Sequence, residues 1–230
     1  MKVKNIERWL GIDNEYVDHG EKWVASVGAF AGILATAWIS SRFLSYGYTW
    51  LMVGSMGASA VLLFAVPHGQ LSQPWGATGG QLISAVVGVA CARWIPMPGL
   101  AAAAAVSLAV LAMHYARCLH PPGGATALAA VMGGHSIHAL GYGFVYKPVM
   151  INALTILAIT FVFNNLLNWR RYPAVLQQHI TQPSKSLQIN REDIAYALKQ
   201  IDSPIDVTES DLLEIAHRAE IYARLRTKKD

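Results

Sequence analysis

Five stretches of the chain are built almost wholly from apolar and small residues: WVASVGAFAGILATAWISS (23–41), TWLMVGSMGASAVLLFAV (49–66), GGQLISAVVGVACARWI (79–95), LAAAAAVSLAVLAMHYARCL (100–119) and KPVMINALTILAITFVFNNLLN (147–168). A spanning helix needs about 20 such residues, with about 17 as the lower limit. All five reach that length or nearly so and lack the polar face a buried soluble helix keeps, so the pattern predicts an all-α membrane protein. A sixth apolar run, Pro121 to Gly134, is too short to span. Trp23, Trp38, Trp50, Trp94 and Trp169 fall near the segment ends, where indole rings favour the membrane interface.

The pattern repeats. A shift of 67 residues pairs GASAV (57–61) with GATAL (124–128), His68 with His135, and the helix at 79–95 with that at 146–162. Each unit then reads as a long helix, a Gly-marked short helix and another long helix. Paired Gly/Pro-interrupted segments in two halves are the usual sequence pointer to a transporter's binding site; here they are Gly54 to Val66 and Pro121 to Gly134. Short helices that cross give six crossings and inverted halves, whereas re-entrant ones give four crossings and parallel halves. Both counts are even, so Lys2, Lys4, Arg8 and Lys22 share a side with Arg170 and Arg171, the cytoplasmic side by the positive-inside rule. The inverted form is the reading preferred from the residues.

The chemistry concentrates at LHPPGGATALAAVMGG (119–134). Pro121 and Pro122 cannot continue the preceding helix, but proline suits the first turn of a new one. The chain therefore breaks at His120, and a half-helix begins inside the membrane with its N–H groups and positive dipole end unpaired, a natural anion site. Backbone amides near Gly57, Gly123 and Gly124, with the hydroxyls of Ser59 and Thr126, are expected to hold the ligand where the amino ends of the two half-helices meet. Arg117, a turn before the break and on one face with His114, is costly in lipid and is expected to set the field, with His120 tuning it. His68 borders the other break as an accessory residue. Snorkelling of Arg117 to the headgroups is the competing reading, and the preferred one for Arg42 and Arg93.

Charge narrows the ligand. All fourteen acidic residues lie at or before Glu21 or at or after Glu192, and between Trp23 and Trp169 the only full charges are Arg42, Arg93, Arg117 and Lys147. The common proton carriers and sodium ligands of pumps are thus missing, which disfavours a cation path and leaves uniport, channel conduction or histidine-linked proton coupling. The basic excess sits in the hydrophobic region and is not a nucleic-acid signature. Cys91 and Cys118 lie in or beside apolar segments as packing residues. No apolar h-region precedes the first long segment, so no cleavable signal is expected and the first helix directs insertion.

RCLHPPGGATAL resembles the signature of the HPP family of integral membrane proteins, named for the motif at His120, Pro121 and Pro122, and GSMGASAVLLFAVPHGQLSQPW resembles that family's first motif. The resemblance covers about residues 20–170. It implies movement of nitrite or a related small anion, because members from chloroplasts and cyanobacteria are linked to nitrite transport. It also implies four spans, the usual description of the family, against the six preferred above. The tail resembles the linker that leads into paired CBS domains in bacterial relatives, and such a pair would not fit before Asp230.

The expected organisation is a cytoplasmic segment at 1–22, the transmembrane domain at 23–169, a linker at 170–190 and a helical tail at 191–230. The tail carries helices at 191–200 and 208–226, the second with Thr208 three residues before Asp211 as a cap and an apolar stripe of Leu212, Ile215, Ala216, Ala219 and Tyr222. The function expected is a transporter or channel for a small monovalent anion such as nitrite, not an enzyme, without cofactor or metal. It would sit in a bacterial inner membrane as a homodimer, with both termini cytoplasmic. Two alternatives remain, a membrane metal enzyme using His68, His120, His135 and His138, and an anchor that recruits a partner through its tail.

Overall fold

The computed structural model describes residues 18–43, 46–176 and 212–217, without the side chains of residues 43 and 46–53. The expected N-terminal segment, the linker beyond residue 176 and the first tail helix lie outside the described residues; of the second tail helix, residues 212–217 are described and are helical.

Seven α-helices make the membrane domain: α1 His19–Phe43, α2 Tyr46–Ala65, α3 Pro74–Trp94, α4 Pro98–Tyr115, α5 Pro122–Met132, α6 Gly134–Leu140 and α7 Ile151–Asn165. A π turn, Val145–Met150, leads into α7 and contains Pro148. Four segments are long and apolar enough to cross a membrane, His19–Arg42, Pro74–Trp94, Pro98–Tyr115 and Val145–Asn165; Gly54–Ala65 and Pro122–Met132 are shorter apolar helices. The protein is therefore an all-α membrane protein. Three helices open on proline in their first turn, at Pro74, Pro98 and Pro122, where the missing amide costs nothing.

Contacts fix the direction of each pass. The carboxyl end of α2, the start of α3, the end of α4 and the end of α7 gather with Glu21 at one end of the bundle, through bonds such as Ser72 Oγ to Leu62 O (2.9 Å), Trp75 Nε1 to Ala116 O (3.0 Å) and Asn164 Nδ2 to Leu63 O (3.2 Å). α5 runs parallel to α3, since Gly80 abuts His120, Gly88 abuts Ala127, and Arg93 lies over the Tyr142 ring at 5.8 Å. The chain thus passes from end to end six times among the described residues. Three passes per repeat make the halves inverted, the form preferred from the residues.

The repeat shows in the packing. Positions 54–65 and 121–132, related by the 67-residue shift, carry one sequence of exposed, half-buried and buried states at all twelve pairs. Ser59 and Thr126 are a buried pair in this register, and Gly57 and Gly124 a half-buried one. From within the π turn onward the register is shifted by one: Gln81–Gly88 matches Val149–Ile156 in every state, a shift of 68. The second copy therefore carries one residue more between the two matched stretches, an interval that holds α6 and the start of the π turn.

Small residues bring the helices close, as membrane packing requires. Gly28, Gly32, Thr36 and Ser40 recur every fourth residue on α1, Gly76, Gly80, Ser84 and Gly88 on α3, and Ala101, Ala105 and Ala109 on α4. A methyl group on Gly32 would come 2.6 Å from the Phe64 ring, and one on Gly88 would come 2.8 Å from Ala127 O. Cys91 and Cys118 are free thiols packed in the cluster around α4.

Beyond α7, Arg170 is buried and caps the carboxyl end of α2. Its guanidinium donates to Phe64 O and, through Nε, to Asn164 Oδ1 at 3.1 Å, and it pairs with Glu21. Burial pushes Arg170 below the usual arginine range, and the Glu21 carboxylate opposes that shift. Tyr172 is also buried and donates to Ser72 O at 2.7 Å, while Ala174 N donates to Gln73 Oε1 at 3.1 Å. The chain on both sides of the membrane helices is in this way fastened to one end of the bundle.

Candidate functional site

The HPP break sits inside the bundle. His120 ends the α4–α5 connection beside Gly80, six residues into α3, which is about 9 Å along the helix. Gly80 is where a Cβ would meet the His120 Cβ at 2.6 Å, so the connection reaches the interior only because α3 presents glycine there.

His120 heads a chain of hydrogen bonds whose direction is fixed by chemistry. Leu71 O is 2.9 Å from Nδ1, and a carbonyl can only accept, so Nδ1 carries the hydrogen. In the neutral ring Nε2 is then an acceptor, and the Ser59 hydroxyl, 2.9 Å away, donates to it. Gln81 Nε2 donates to Ser59 Oγ at 3.2 Å, and Thr126 Oγ1 donates to Gln81 Oε1. Ser59, Gln81, His120 and Thr126 are all buried. Gln81 thus bridges the two hydroxyls that the repeat makes equivalent, and joins the two halves at their centre.

Of the residues expected from sequence, the structure brings Ser59, His120 and Thr126 together, with Gly123 packed beside them against Ser84, Gly80 O and Met113. It places the others elsewhere. Gly57 lies eleven residues into the continuous helix α2, whose amides beyond the first turn are spent in the helical ladder, so the first copy has no amino end at this depth. Gly124 is on the outer side of α5, where an added methyl would have only Val106 Cγ1 at 4.0 Å. The amides of Gly123 and Gly124 donate to His120 O (2.8 Å) and Pro121 O (3.0 Å), a tight first turn that uses the donors expected to be open.

Arg117 and His114 are exposed at the rim. Arg117 has φ +53°, with Arg117 N bonded to His114 O and Cys118 N to Met113 O: it is the left-handed residue that closes α4, a place usually taken by glycine. His68 is half-buried in the α2–α3 connection, and His135 and His138 are exposed at the other end, where His138 Nε2 meets Val131 O at 2.9 Å. Among the described residues no three of His, Cys, Asp and Glu are grouped to hold a metal ion. Sequence reasoning missed Gln81. The available signal was an amide, with no charged partner, in the apolar interior of α3.

The match to known sequences follows this geometry: the sequence model of the HPP transmembrane region covers residues 14–173. The chain belongs to the HPP family. Two transmembrane proteins of Dictyostelium discoideum are similar, one 35% identical over 74% of this chain and 57% of its own length, the other 36% identical over 74% of this chain and 62% of its own. The chain thus spans about three fifths of the length of these curated relatives. No solved structure matches it. The HPP match takes in Glu21, Arg170 and Tyr172, which the fold ties together at the end of the bundle.

Proposed function

We propose that this HPP-family membrane protein is a transporter or channel for a small monovalent anion, nitrite being the candidate its family resemblance supplies. One observation carries the reading: a buried chain of hydroxyl and amide groups, Thr126, Gln81, Ser59 and His120, joins the two inverted halves within a stretch, residues 23–169, that has no carboxylate side chain. An anion leaving water needs donors in place of its hydration, and no negative side chain to repel it. In the structure the hydroxyls of Ser59 and Thr126 each donate to a neighbour, His120 Nε2 and Gln81 Oε1. Separation of the two halves breaks the Ser59–His120 and Thr126–Gln81 bonds together, as rocking of inverted halves does in transporters. Arg117, exposed at the rim of the same end, draws anions to that mouth. The working form is taken to be a homodimer in a plasma membrane with both termini cytoplasmic, an inner membrane in a bacterial host.

The test is nitrite entry into liposomes holding the purified protein, with nitrate, formate and chloride as competitors. Saturable entry that falls about tenfold in Ser59→Ala, the worth of one hydrogen bond to a charged group, is expected. Entry of none of these anions above protein-free liposomes overturns the reading.

A further inference from the structure

Resting on that reading, we propose that the anion does not travel alone: the site takes one proton with it, on His120 Nε2, so that transport is electroneutral proton–anion symport. The direction of the hydrogen bonds carries the argument. Because Leu71 O can only accept, Nδ1–H is committed, and Nε2, facing the Ser59 hydroxyl at 2.9 Å, is the one ring position that can take a further proton. When a proton from bulk water binds there, Nε2–H becomes a donor and the Ser59 oxygen must accept from it, as it already accepts from Gln81 Nε2 at 3.2 Å. The Ser59 hydroxyl hydrogen is then turned away from His120. Protonation creates a cation and releases a donor in one step, at the same spot. No bond other than N–H and hydrogen bonds is made or broken, and the proton returns to water when the anion leaves.

Charge balance makes the two events obligatory partners. A buried imidazolium without a counter-ion is costly by several kcal/mol. Among the described residues, the groups packed around His120 offer none. Within Gly54–Ala65 of α2 and in α5 no residue titrates; α3 contributes only Cys91 and Arg93 at its far end; α4 contributes His114 and Tyr115, exposed at the rim; and the connections contribute His68, Arg117 and the neutral buried thiol Cys118. Among the described residues the carboxylate gathered at this end of the bundle, Glu21, is taken by Arg170. The counter-charge must therefore be the transported anion, and proton and anion each raise the other's affinity by one reciprocal factor. Gln81, neutral at any pH, holds Ser59 in place in both states.

The experiment measures initial nitrite uptake into proteoliposomes, corrected for protein-free liposomes, across external pH 8 to 6 and with membrane potentials set by potassium and valinomycin. Wild type is expected to speed up by about tenfold per pH unit until the proton site fills, and to ignore the potential. His120→Gln, which retains a side-chain amide for Leu71 O, is expected to lose the pH dependence and to become driven by an inside-positive potential. Uptake in wild type that follows the potential and ignores pH overturns the coupling and leaves anion transport standing. Absence of uptake in wild type strikes the transport reading itself. Should His120→Gln not yield folded protein, Ser59→Ala decides: it keeps the imidazole, so the pH dependence persists while KM for nitrite rises about tenfold. An unchanged KM in that variant overturns the proposal.

Discussion

The short helices of the two halves bury the same positions and do different work. In the first copy, residues 54–65 are the end of the 20-residue helix α2, and Met56 fills an interior position. In the second copy the pair of Met56 is Gly123, on a helix that starts only one residue earlier because of Pro121 and Pro122. Glycine is required there since Ser84 Oγ, Gly80 O and Met113 Sδ occupy the space a side chain would take. One copy thus ends in a plain helix capped by Arg170, and the other opens on a loop driven into the core. Burial pattern is inherited by both halves, while the break is a property of one.

The largest expected effect comes from erasing this difference. Gly123→Met, which copies the first repeat into the second, is expected to abolish monodisperse protein in detergent size-exclusion chromatography, because the obstacle includes backbone and not only a movable side chain. Arg170→Met removes the cap of the first copy and strands Phe64 O, Asn164 and Glu21, and should cost about 3 kcal/mol, read as a lower thermal midpoint. Glu21→Gln should cost less, since Glu21 remains 28% exposed and water takes over part of its role. At the centre, Gln81→Leu leaves Thr126 without its acceptor and is expected to cost about 1–3 kcal/mol, with the His120–Ser59 bond kept. The smallest effects fall on the pair where the copies agree. Gly57→Ala and Gly124→Ala meet nothing closer than 4.0 Å, and each is expected to raise the thermal midpoint slightly, by up to about 1 kcal/mol of helix propensity. A loss at either position would show a partner on the outer faces that the single chain does not contain.

Much of this was legible in the residues. Hydropathy gave the helices, the 67-residue shift paired Ser59 with Thr126, and His-Pro-Pro located the break, because each of these is a local property of composition or backbone chemistry. Long-range partners were not legible. Arg170 reads as an ordinary basic residue after a membrane helix, and only the fold brings it to Glu21, 149 positions away. Gln81 reads as one polar residue among glycines, and its importance follows from the reach of its side chain from α3 to Ser59 on α2 and Thr126 on α5. Arg117 was drawn to the site by the rule that buried charge is functional, but the left-handed turn that closes α4 leaves it at the rim. Arg117→Gly at this turn is expected to stabilise the fold by about 1 kcal/mol.

The one-residue insertion in the second copy bears on stoichiometry. A duplicated chain with strict twofold symmetry would set two amides, one from each half, across the single pair of hydroxyls that the symmetry exchanges. After the insertion, the residue that answers to Gln81 is Val149, a buried aliphatic side chain with nothing to bridge. The second amide is therefore missing rather than mirrored. Whatever bridges Ser59 and Thr126 does so once per polypeptide, and a titration of sites against chains should return one, whatever the number of chains in the assembly.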